Sequence, residues 1–121
     1  MRIAELNTLA AVALAILCST PLQAAERAWT RSELLTIADE EARRHGVDIE
    51  QASVSFDGFN SAWGAYVERR KSIGLNTAAP ELNGRGYWAV YYAPMTPMRG
   101  GDLWVMIDKS TGEVIMALEG E

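Results

Sequence analysis

Read as a pattern of apolar and polar positions, the chain divides into two helical stretches and four extended ones. Tyr87 to Ala93 is aromatic and β-branched, and alternation puts Trp88, Val90 and Tyr92 on one face with Tyr87, Ala89 and Tyr91 on the other. Leu103, Val105 and Ile107 repeat that pattern with Trp104 and Met106 opposite. Val114, Met116 and Leu118 give a third run of period two. Between the last two runs lies Asp108-Lys109-Ser110-Thr111-Gly112-Glu113. Its Asp and Ser can bond their own backbone and Gly112 can take a positive φ, so a tight reversal is predicted there. The three runs form a β-meander that ends in a hairpin.

Upstream, Thr30 and Glu33 have capping-box spacing, and Trp29 is placed to staple against Leu34. Leu34, Ile37, Ala38 and Ala42 follow at helical spacing, so Asp39, Glu40, Arg43 and Arg44 are expected to face away. Gly46 supplies a left-handed stop. Ala52 to Phe56 alternates as a short strand, ended by Asp57-Gly58. A second helix is expected from about Asn60 or Ser61 to Gly74, with Trp63, Tyr66, Val67 and, at its end, Ile73 on one face. Gly64 inside it costs about 1 kcal/mol relative to alanine. The segment from Leu75 to Arg85 has loop chemistry. The predicted fold class is α+β: one or two N-terminal helices packed on one face of a small antiparallel sheet, with the chain before Trp29 a loose leader.

The start of the chain changes how much of it belongs to that domain. Leu9 to Cys18 is uncharged and apolar, too short to span a bilayer as a helix, and Ser19-Thr20-Pro21 breaks it before Ala24-Ala25. Residues 1–24 read as a cleavable signal peptide and residues 25–121 as a single domain, periplasmic or secreted. Cys18 is the only cysteine among 121 residues, and Leu17 before it is not the small residue that lipoprotein signals carry. The exported domain then has no disulfide and no thiolate ligand. A net charge of −5 argues against nucleic acid or an anionic membrane as partner, and favours basic proteins.

Candidate chemistry is sparse. His45 is the only histidine, in a helix's last turn, without a nucleophile or ligand spacing around it. Asp39-Glu40-Glu41 point in different directions on a helix and suit a solvated face better than a metal site. The Asp108 carboxylate is expected to bind backbone N–H groups of its own turn. No phosphate loop, nucleophile elbow or dinucleotide fingerprint occurs, so no catalytic residue, cofactor or metal is assigned. The aromatic residues carry more weight. If helices cover one face of the sheet, either rings on the other face stay exposed as interface anchors or the Leu75–Arg85 loop shields them. Tyr87 and Tyr91 on the central strand, with Met95, Met98 and Arg99 in the next loop, are the candidate partner-binding residues. The alternative for that loop is a long hairpin connection guarded by prolines.

The stretches Tyr87-Trp88-Ala89-Val90, Gly100-Gly101 and Val105 to Val114 resemble two groups of small exported bacterial modules. One is the PepSY-type domain, with its helix followed by strands ending in an I-D-x-x-T-G-E-V hairpin. The other is the immunity proteins with a nuclear-transport-factor-two-like fold, which are similar in a W-x-V strand, a Gly-Gly and a terminal hairpin. The resemblance implies a cystatin- or PepSY-like architecture and a non-catalytic periplasmic role, most simply inhibition of a partner enzyme or toxin. The alternatives are a PepSY-like regulator of a peptidase, an envelope accessory module and, more remotely, a small hydrolase. Both motifs mark a hairpin and not an active site.

Overall fold

The computed structural model describes residues 27–120 apart from 78, 97 and 99. The expected signal peptide, its cleavage point and Arg99 lie outside the described residues. Among those described, no helix is long and apolar enough to cross a membrane.

Helix α1 runs Arg31–Arg44 and opens as its sequence dictates. The Thr30 hydroxyl accepts from Glu33 N while the Glu33 carboxylate accepts from Thr30 N, a reciprocal capping box. It closes at Gly46, φ +78°, where Val47 N donates to Ala42 O and Gly46 N to Arg43 O. That pair of bonds satisfies carbonyls the helix would otherwise leave open. Two expectations fail here. Asp39 does not face solvent alone: its carboxylate accepts the Tyr92 hydroxyl at 2.6 Å. Nor is the leader loose from Arg27 onward, because Arg27 N and Trp29 Nε1 both donate to Lys109 O at the far hairpin.

Strands β1 (Ala52–Asp57), β2 (Tyr87–Pro94), β3 (Leu103–Asp108) and β4 (Val114–Glu119) form one antiparallel meander in the order β1-β2-β3-β4. Helix α2 (Ser61–Ser72) lies in the connection from β1 to β2. The fold is α+β, but the helices do not share a face. α1 lays Leu34, Ala38 and Ala42 on Val90, Tyr92, Leu103, Val105 and Ile107. α2 packs Trp63, with Tyr66 and Val67, on Ala89, Trp104 and Met106. β3 explains why: every residue from Leu103 to Asp108 is buried, and a strand apolar on both faces must be covered on both. The Leu75–Arg85 segment adds to the α2 side through the short 3₁₀ turn Pro80–Leu82, which buries Leu82. The second face is therefore shielded by a helix and a loop together.

α2 starts without help from its own N-cap. Asn60 sits at φ 59° with no side-chain capping bond. The Asp57 carboxylate, from the end of β1, accepts from Ala62 N at 2.8 Å and Trp63 N at 3.4 Å instead.

The expected period in β4 is also interrupted. Val114 pairs with Ile107 but Met116 pairs with Met106, so Ile115 is an extra residue in the ladder. Such a bulge turns the residues after it over. Val114 and Ala117 consequently join the α1 side, and Ile115, Met116 and Leu118 the α2 side. The hairpin between β3 and β4 follows its turn chemistry. Asp108, 5% exposed, accepts from Ser110 N at 2.7 Å, Ser110 Oγ at 2.5 Å and Thr111 N at 3.1 Å. Its other oxygen takes Arg85 Nε and Nη2 at 2.9 and 2.8 Å. The Ser110 hydroxyl above all, then Arg85 and the turn N–H groups, hold this carboxyl well below the usual carboxylate range against the opposing effect of burial.

Candidate functional site

The end of the sheet remote from that hairpin is where the surface is least finished. The start of β1, the end of β2, the start of β3 and the end of β4 meet there beneath the C-terminus of α1. They enclose a cleft of about 420 Å³. Its polar lining includes His45, Asp48, Gln51, Asp102 and Glu119, and Met98 forms part of its rim. Three of these are carboxylates, and none of the described lining residues is Lys or Arg. The negative end of the α1 dipole adds to the same sign.

Two devices build this corner. The His45 ring lies between carboxylates, Nε2 at 3.2 Å from Glu41 Oε1 and Nδ1 at 3.2 Å from Glu119 Oε1. It thereby ties the end of α1 to the end of β4, a structural part beyond the solvated residue expected. The second device is Asp102. Its carboxylate accepts the Tyr91 hydroxyl at 2.9 Å, and its carbonyl accepts Gly120 N at 3.0 Å. A β-carbon on Gly120 would lie 2.1 Å from both carboxylate oxygens, so only glycine permits the approach. Burial first, then the hydrogen bond to Asp102, pushes the Tyr91 phenol up to about 12.

Asp102 also borders a second hollow, lined with Tyr66, Arg69, Arg70, Ser72 and Ile73. Two large apolar side chains stand exposed at these hollows, Ile73 at 72% in the second and Met98 at 63% on the rim of the first, and Met95, 64% exposed, lies on the same loop as Met98. Phe59, 95% exposed, stands in the turn that leads into α2.

The sequence-predicted residues are thus partly gathered. Met95 and Met98 stand in solvent on the β2–β3 loop, and Tyr91 reaches the same corner from beneath through Asp102. Tyr87 is at the other end of β2, opposite Asp108, and half-buried in the α2-side cluster. Its phenol is pushed up by burial and then by the Asp57 charge. Tyr91 is likewise half-buried, its ring 4.5 Å from that of Trp104. Asp102 and the His45–Glu119 contact were not legible from periodicity, and Ile73, expected on the packed face of α2, lies past the helix end at Ser72 and is exposed instead. Asp102 does follow Gly100-Gly101, both at positive φ, and an acid after such a pair is the one local signal that could have marked it.

The described residues contain no group of three or more His, Cys, Asp or Glu able to hold a metal ion. Comparison with protein-family models, with curated proteins and with solved structures returns no match.

Proposed function

We propose that this chain is an exported, non-catalytic binding module that restrains or neutralises a partner protein, an enzyme or a toxin. The observation that carries the reading is that Ile73 and Met98, both left in solvent, border the two hollows that share the Asp102 carboxylate, which Tyr91 holds in place. Large apolar side chains bordering hollows with a fixed polar anchor are what an interface core needs. Methionine suits it further because its flexible thioether adapts to an irregular counterpart. The acidic cleft, the first of these hollows, adds a preference for a partner that presents basic side chains. The resemblance to immunity and PepSY-type modules points the same way.

The test is comparative capture from the envelope fraction of the source organism. Wild type, Ile73→Asp, Met98→Asp and Phe59→Ser serve as baits. A partner retained by wild type and by Phe59→Ser, and lost by Ile73→Asp and Met98→Asp, supports the reading. Each lost contact is expected to weaken binding by about 1 kcal/mol or more. A catch that falls off equally with Phe59→Ser is general stickiness and counts against it.

A further inference from the structure

β4 is an outer strand that pairs with β3 and with no other strand among the described residues. Val114, Ile115, Met116, Ala117 and Leu118 are all apolar and all only half-buried. β1 at the opposite edge is protected by comparison, with Ser53, Ser55 and Asp57 along it. A row of unpaired edge N–H and C=O groups on an apolar strand is a template for another strand. Both hydrophobic clusters also run out into β4, Val114 and Ala117 on the α1 side and Met116 and Leu118 on the α2 side. One added strand would close both clusters at once.

The flank of this edge says which strand fits. An open groove of about 680 Å³ runs between β4 and the last turns of α1, with Glu41 and Arg44 on its helical wall. Arg44 is 63% exposed and pairs with Glu40 at 2.7 Å and Glu41 at 2.9 Å. Positive and negative groups therefore sit together on one patch, and a two-fold axis brings such a patch onto its own complement. An antiparallel β edge is self-complementary under the same axis.

We propose that two copies of this chain associate antiparallel, β4 against β4, joining their sheets into one. The two α1 helices would then lie on the same face of the joined sheet, one on either side of the seam, the Arg44 of each copy facing Glu40 and Glu41 of the other. The bulge at Ile115 confines regular pairing to Met116–Glu119, so the seam is short and the dimer weak. Each copy carries −5, so salt should tighten the association by screening the repulsion. The seam uses none of Ile73, Met95 and Met98, so loss of the dimer and loss of a partner are read separately.

Sedimentation of the purified protein, from low micromolar to sub-millimolar concentration and at low and high salt, tests this. The expected result is a monomer–dimer equilibrium that tightens with salt. Ile115→Lys, which puts a charge on the edge, should weaken it at least tenfold. If that variant fails to fold, Arg44→Glu on the exposed helix flank decides: it should weaken the dimer several-fold, and Glu40→Arg combined with it should restore association. A monomer at every concentration overturns the proposal, as does a dimer that neither substitution weakens.

Discussion

Trp29 lies so close over Gly112 that a β-carbon on the glycine would sit 2.4 Å from the indole Cη2. The same indole donates to Lys109 O at 2.8 Å, so the lead-in to α1 is clamped onto the β3–β4 turn. Gly112 is thus fixed twice, by its φ of +77° and by the ring above it. Gly112→Ala is expected to cost about 1–2 kcal/mol from the left-handed backbone alone. Displacement of the indole adds to that. In a Trp29→Ala background the added part should vanish and leave the backbone penalty. Equal losses in both backgrounds, by denaturant unfolding, would contradict the contact.

The Arg85–Asp108 pair gives an acid-side signature. A depressed carboxyl pKa stabilises the fold above the unfolded value and loses that contribution as pH falls through the folded one. Wild type should therefore exceed Asp108→Asn in stability at neutral pH, by about 2–3 kcal/mol, because the Arg85, Ser110 and Thr111 donors lose their charged acceptor. The gap should narrow steadily once pH drops below about 4. A gap independent of pH would mean that the charge on Asp108 is not what the turn uses.

At the alkaline end the sign reverses. The Tyr91 and Tyr92 phenols are both raised, by burial first and then by their bonds to Asp102 and Asp39. Stability is expected to be full below the unfolded phenol value of about 10 and to decline above it. Tyr92→Phe should flatten that decline. Ultraviolet titration should show Tyr91 ionising near pH 12 and Tyr92 only as the fold opens.

Asn60 offers an unusual opportunity. It holds a left-handed conformation, makes no capping bond, and its Oδ1 is buried without a partner. Asn60→Gly keeps the backbone and removes the unpartnered oxygen, so thermal unfolding should show the variant at least as stable as wild type. Asp57→Ala, which removes the carboxylate that caps α2, should cost about 1 kcal/mol. If Asn60→Gly is the more damaging of the two, the cap is assigned to the wrong residue.

Local chemistry was legible wherever neighbouring residues act on one another. The Thr30–Glu33 box, the stop at Gly46, the turn at Asp108 and the reversed φ at Gly112 all follow from side chains within a few positions of the backbone they satisfy. Alternation likewise sorted Val90 and Tyr92 from Ala89 and Tyr91. What alternation does not carry is the identity of the element that covers each face. Only the tertiary structure sets α1 on one side and α2 with Leu82 on the other, because β3 is apolar on both. It likewise turns Asp39 inward, since a buried Tyr92 hydroxyl needs an acceptor and α1 brings that carboxylate nearest. The bulge at Ile115 and the Tyr91–Asp102 bond also come from pairing, as a strand's register and a side chain's partner depend on the neighbour across the ladder.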